Sequence, residues 1–171
     1  MLDEDERLEL LGGELIVAEP QGSPHYTAIQ LVDEVLREVL GPGWLVRTHG
    51  PVALDDDSEP EPDVSVVRGR ARDYSRQHPA KPALIVEVCA SRSRLTFDRE
   101  HKGSIYARAG IADYWVLNLI SRVLEVYRSP VEDDSAAFGW CYASRELFDA
   151  NASCSPLVAP QASIAVRDLL P

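Results

Sequence analysis

Glu87 stands inside Leu84-Ile-Val-Glu-Val, a stretch whose other residues belong in a strand interior. An ionised carboxylate is expensive to bury there without a partner. A metal ion, or a cation such as Lys102, would remove that cost; so would an exposed strand edge or a structural arginine. Asp63 opens the strand-like run Asp-Val-Ser-Val-Val directly after Pro62, where a capping or turn role is the plainer alternative. Asp98 and Lys102 are four residues apart, a spacing that puts both on one helix face. The pair is either an exposed ion pair contributing about 0.3–0.5 kcal/mol or a face turned onto the strand that carries Glu87. Two strand carboxylates and a nearby lysine are the minimal equipment for metal-dependent phosphodiester hydrolysis. The carboxylates hold Mg²⁺ or Mn²⁺, the metal polarises phosphate and activates water, and the lysine stabilises or orients the nucleophile.

These residues need elements to hold them. Residues 8–18, with Gly12-Gly13 at their centre, read as a β-hairpin. Ser23-Pro24 supplies an N-cap and an N1 proline, and Ala28, Leu31, Val32, Val35, Leu36 and Val39 follow at helical spacing until Gly41-Pro42-Gly43. Residues 44–54 and 63–67 read as strands joined by an acidic turn, and 68–82 as an exposed, arginine-rich, mobile loop. The near-continuous apolar run 83–89 has the pattern of a strand buried on both faces. Thr96 can cap a second helix running to Ala109, with Gly110 as its stop. Residues 114–119 and 123–128 form a hairpin, and weaker strands fall near 139–143 and 163–166. The order is that of a mixed α/β (α+β) single domain, residues 1–171.

Composition narrows the function. The 171 residues are 45% hydrophobic and carry a formal net charge of −11, ordinary for a globular chain with a real core. No apolar run approaches the roughly 18–20 residues of a membrane helix, and the acidic start does not resemble a signal peptide. Three cysteines, Cys89, Cys141 and Cys154, lack metal-type spacing and fit a reducing cytoplasm. The charge is unevenly spread: residues 68–108 hold ten basic and four acidic residues, which points that segment toward a polyanion. Fifteen of the seventeen basic residues are arginine. A lysine retained at 102 is therefore a pointer to function, because a guanidinium does not replace a compact ammonium.

Glu61-Pro-Asp-Val, Ala83-Leu-Ile-Val-Glu-Val, the four-residue spacing of Asp98, Lys102 and Tyr106, and Ala109-Gly-Ile-Ala-Asp-Tyr-Trp-Val together resemble the Uma-two family. That family consists of restriction-endonuclease-like proteins of the PD-(D/E)XK superfamily. The resemblance spans nearly the whole chain. It implies a restriction-endonuclease-like fold, with a central mixed β-sheet flanked by two main helices and an N-terminal β-hairpin. It makes Asp63 and Glu87 the motif acids and metal ligands, with Mg²⁺ or Mn²⁺ as cofactor. The motif lysine would fall at Cys89; Lys102 on the following helix is its counterpart, and the Cys89 backbone carbonyl is a further metal ligand. After Glu87 the chain reads Val-Cys-Ala-Ser-Arg-Ser, a departure from the family's usual Val-Leu-Ser-Pro-Ser-Thr that leaves the three chemical positions intact. His25 matches a family histidine that contacts the site or caps the first helix. Asp98 is placed to orient Lys102 or to support the ligands from behind. Arg92, Arg94 and Arg99 are candidates for phosphate contact. DNA is the implied substrate and a homodimer the implied assembly.

Other chemistries fit less well. Asp55-x-Asp57-x-Glu59 is followed by Pro60, where a calcium loop needs glycine. The four histidines lack zinc spacing, and no phosphate-cradling glycine loop or Gly-x-Ser-x-Gly is present. A Cys89-based hydrolase has no local signature, and a buried cysteine is usually inert. The stronger rival is a catalytically inactive nuclease fold that binds a protein partner through its acidic surface.

Overall fold

The computed structural model describes residues 8–17 and 21–171; the acidic start and Ala18, the last residue of the expected hairpin, lie outside them. Strands β1 (Leu8–Leu11) and β2 (Glu14–Val17) form an antiparallel hairpin. Its turn needs positive φ at both central residues, and Gly12 and Gly13 supply 57° and 86°. Helix α1 covers Ser23–Val39. Its cap is Gly22 rather than Ser23, which falls inside the first turn, and Pro24 occupies the position where a missing N–H costs nothing.

Six strands then build the central sheet in the order β3-β4-β5-β6-β7-β8. They are β3 (Trp44–Thr48), β4 (Val64–Arg68), β5 (Leu84–Cys89), β6 (Asp113–Asn118), β7 (Val123–Glu132) and β8 (Trp140–Asp149). β5 and β6 run parallel and the other neighbours antiparallel. A parallel pair needs a crossover connection, and the second helical segment provides it. That segment starts at Arg92, with the Ser91 hydroxyl accepting from the Arg94 N–H; the expected cap, Thr96, sits inside it. It comprises α2 (Arg92–Phe97), a π-turn (Asp98–Lys102) and α3 (Gly103–Arg108). The wide turn closes with the Gly103 N–H on the Asp98 carbonyl, which also accepts from the Tyr114 hydroxyl at 2.9 Å. A Cβ at Gly103 would make ordinary contacts, 3.4 Å from that carbonyl and 3.5 Å from the Tyr114 ring, so the segment packs against β6 without demanding glycine. Single π-turns inside helices recur at functional sites; here the turn spans Asp98 and Lys102.

Period-two alternation sorts the sheet into two faces. Val64, Val66, Leu84, Val86, Val88, Trp115, Leu117, Leu124 and Val126 pack with Ala28, Ile29, Val32 and Leu36 of α1. Ile85, Cys89, Tyr114, Val116 and Tyr127 face the other way, with Leu95 and Tyr106 of the crossover. Asp63, Glu87 and Glu125 share the second face by register. Strand β8 is twice the length expected, and β9 (Ser153–Cys154) pairs with β10 (Ile164–Ala165) beside the core. The arginine-rich loop contains a 3₁₀ turn (Ala71–Tyr74), whose tyrosine hydroxyl donates to the Arg68 carbonyl. Among the described residues no helix is long and apolar enough to cross a membrane.

Candidate active site

β5 delivers Glu87 to the crossover face with no exposed surface. The Lys102 ammonium reaches it from the π-turn: Nζ lies 3.0 Å from Oε1, and the Tyr106 hydroxyl donates to the same oxygen at 2.7 Å. The second oxygen, Oε2, has no hydrogen bond, although Arg94 Nη2 stands 3.5 Å away. A buried carboxylate oxygen left in that state is costly.

Asp63, 3% exposed, lies just before β4 and is gripped from three directions. Oδ2 accepts the Val88 N–H at 2.8 Å and meets His25 Nε2 at 3.1 Å, while the Gln21 amide donates to Oδ1 at 3.3 Å. The Val88 bond fixes Asp63 against the main chain directly after Glu87. Burial pushes this carboxyl up, but the His25 bond and charge, the Val88 N–H and Lys102 outweigh it and hold Asp63 below its ordinary value.

Glu9 was not legible as a site residue. It lies on the inward face of β1 with Leu11, 3% exposed. Its Oε1 accepts from Lys102 Nζ at 3.1 Å and its Oε2 lies 2.8 Å from the same nitrogen. Leu8-Glu-Leu-Leu reads in sequence as a strand with its acid toward solvent, and nothing local says that a chain 93 residues away covers it. Tyr106 belonged to the quoted motif, but its bond to Glu87 could not be read from spacing.

Of the two roles expected of Asp98, its bonds are those of a residue behind the site and not of one that orients Lys102. Its Oδ2 accepts from Arg94 Nε at 3.1 Å and from the Cys89 thiol at 3.0 Å, rather than from Lys102. It therefore anchors Arg94, and touches the lysine only through its charge. Cys89 accepts the Leu119 N–H at 2.9 Å through its carbonyl, extending the β5–β6 ladder, and that oxygen has a second lone pair beyond that bond. Burial and the facing Asp98 push its thiol far up, which keeps it protonated and removes the nucleophile that a cysteine hydrolase needs.

The arginines also correct the sequence reading. Arg94 is drawn inward to Asp98 and Glu87. Arg99 grips buried Glu125 with two nitrogens, Nε at 2.9 Å and Nη2 more closely, and Arg108 pairs with Asp55. With Lys102, four of the ten basic residues of 68–108 are thus paired internally, while Arg68, Arg70, Arg72, Arg76 and Lys81 are exposed. Arg92 remains exposed.

Four carboxylates (Glu9, Asp63, Glu87, Asp98) meet two permanent cations (Lys102, Arg94) in this centre. Lys102 is held charged: burial opposes its charge, but Glu87 and Glu9 outweigh burial. Glu87 bears the imbalance. Burial pushes it up to about 8 against the pull of Lys102, with Asp98 and Asp63 adding to the push. Among the described residues no three His, Cys, Asp or Glu side chains converge as a metal cage. Two carboxylates with an orphaned oxygen and excess negative charge do fit a hard divalent ion such as Mg²⁺, which keeps several waters and takes few protein ligands. They do not fit zinc.

Comparison with known proteins adds a family and a fold. The Uma2 family model, described as "Putative restriction endonuclease", matches residues 1–167. No curated protein matches the sequence. Among solved structures, the crystal structure of "a putative nuclease belonging to DUF820" from Anabaena variabilis ATCC 29413 is similar over 99% of this chain and 92% of that one, with a TM-score of 0.72 and 18% sequence identity. At that identity the likeness is one of fold.

Proposed function

We propose that this chain, which belongs to the Uma2 family, is a divalent-metal-dependent endonuclease that hydrolyses DNA phosphodiester bonds in the PD-(D/E)XK manner. The observation that carries the reading is the Glu87 carboxylate: fully buried, with one oxygen bonded to Lys102 and Tyr106 and the other unbonded. That second oxygen, with Arg94 Nη2 3.5 Å away, is the position from which Glu87 could ligate a metal ion.

Asp63 and Glu87 are the residues that would hold Mg²⁺ or Mn²⁺. Once bound, the ion polarises the phosphate and acidifies a water. His25 and the Val88 N–H keep Asp63 ionised and fixed in direction. Tyr106 orients the Glu87 carboxylate, leaving Oε2 free of a donor. Lys102 presents a permanent positive charge beside Glu87, suited to orienting the attacking water and to stabilising charge on the phosphate oxygens. Arg94, held by Asp98, stands next to that carboxylate as a second cation.

One observation favours the rival reading, an inactive nuclease fold that binds a protein partner. Glu87 and Lys102 have no exposed surface, so substrate reaches them only after a rearrangement. The two readings separate in a cleavage assay on plasmid and single-stranded DNA with Mg²⁺ or Mn²⁺. Cleavage by the wild type that is lost in Glu87→Ala and Lys102→Ala supports the nuclease. A folded wild-type protein that cuts neither substrate in either metal supports the binding module.

A further inference from the structure

Two carboxylates hold the tip of the Lys102 side chain. One, Glu87, comes from the sheet; the other, Glu9, comes from the N-terminal hairpin, which lies outside that sheet. The hairpin is docked by main-chain bonds from the Glu59 N–H to the Leu10 carbonyl and from the Gly13 N–H to the Asp57 carbonyl. The Gly12 N–H also donates to the Ser58 hydroxyl, and Gly12 is packed against the Phe138 ring. None of those contacts involves the Glu9 side chain. A buried glutamate there adds little to stability, since its desolvation consumes most of what the ion pair returns. What the pair supplies is position. An ammonium bonded on two sides has one location, whereas one bonded to Glu87 alone would swing on its four-carbon stem and settle fully on that carboxylate.

We infer that Glu9 is a positioning residue: from the hairpin it holds the Lys102 ammonium beside Glu87 and keeps the lysine from neutralising that carboxylate. For catalysis the inference rests on the nuclease reading, with Lys102 the group that acts at the phosphate. Among the described residues the Glu9 carboxylate is bonded to Lys102. Removing its charge therefore slows turnover and leaves DNA binding alone.

The chain has only two lysines, exposed Lys81 and buried Lys102, so acetylation with acetic anhydride read by mass spectrometry follows Lys102 against an internal reference. In the wild type Lys102 is expected to be protected. In Glu9→Gln it is expected to acetylate at least about tenfold faster with Lys81 unchanged, in line with the loss of a partner that orients a functional group. Arg145→Ala, remote from the hairpin, is the control for general loosening and leaves the protection in place. Glu9→Asp, which keeps the charge one methylene short, falls between wild type and Glu9→Gln. Unchanged protection in a folded Glu9→Gln protein overturns the inference, as does equal loss in Arg145→Ala. In cleavage assays Glu9→Gln lowers kcat about tenfold at constant KM; a raised KM with unchanged kcat assigns Glu9 to substrate binding instead and also overturns it. A wild-type protein that cleaves nothing defeats the nuclease reading, while the acetylation result still decides the hold of Glu9 on Lys102.

Discussion

Glu87 and Glu125 occupy one row of the sheet, on either side of Val116, and both are fully buried beneath the crossover face. Their surroundings could hardly differ more. Glu125 has every oxygen bonded: Arg99 reaches both, Tyr127 donates to Oε2 at 2.7 Å, Arg145 to Oε2 at 3.2 Å, and Asn118 to Oε1 at 3.2 Å. Burial pushes Glu125 up, but these donors outweigh it and hold it below its ordinary value. Glu87 shares its cations with three other acids, keeps one oxygen without a hydrogen bond and is pushed up. Two glutamates with the same burial thus divide into one that is complete without a ligand and one that is not. Burial of a carboxylate alone does not mark a site; what sets Glu87 apart is an unbonded oxygen within a cluster of further acids.

The difference can be attacked from either side. The largest effect is expected from Glu87→Gln, which removes several kcal/mol of transition-state stabilisation, a loss of roughly a hundredfold or more in DNA cleavage rate. At pH 8, where Glu87 carries charge among its neighbouring acids, the same variant should unfold at equal or higher urea concentration than wild type. Glu125→Gln should do the opposite, destabilising the fold by about 1–3 kcal/mol in urea unfolding by stranding its arginines. An unfolding midpoint unchanged by Glu125→Gln would erase the distinction.

The two residues also predict opposite responses to pH. A carboxyl raised in the folded state binds a proton that the unfolded chain has released, so the Glu87 contribution to stability falls as pH rises from its ordinary value of 4.5 to about 8. A carboxyl lowered in the folded state contributes fully above the ordinary range and loses that contribution as pH falls through the folded value. Urea midpoints at pH 5 and pH 8 should therefore differ more in wild type than in Glu87→Gln, and Glu125→Gln should flatten the acid limb. The smallest effect belongs to Arg145→Ala. Its side chain is 44% exposed at the rim of the Glu125 cluster, and its loss should cost under about 1 kcal/mol.

The contrast also shows what sequence can hold. Glu87 announced itself because a charge in an apolar strand is locally anomalous, and Lys102 because an arginine-biased chain had kept a lysine. Glu125 gave no such signal: Val123-Leu-Glu-Val-Tyr alternates like an ordinary half-exposed strand. Both helices and most strands followed from residue pattern and stop signals, while the central mixed sheet came with the family resemblance. Their edges shifted where a neighbour decided them, as when Ser91 capped the second helix in place of Thr96. Glu9, the inward turn of Arg94 and Arg99, and the π-turn depend on distant docking and leave no local trace. The segregation of positive charge was real in sequence, but its members near the site are turned inward onto acids.

The hairpin also sets an order of events in time. Lys102 meets Glu87 across 15 residues but meets Glu9 across 93, and closing the longer loop carries the larger entropic barrier. The sheet and its crossover can therefore nucleate with the N-terminal clasp still open, and the lysine gains its second partner after the rate-limiting step. Glu9→Gln should accordingly leave the refolding arm of a chevron plot where it is and shift only the unfolding arm. A slowed refolding arm would place the clasp inside the folding nucleus.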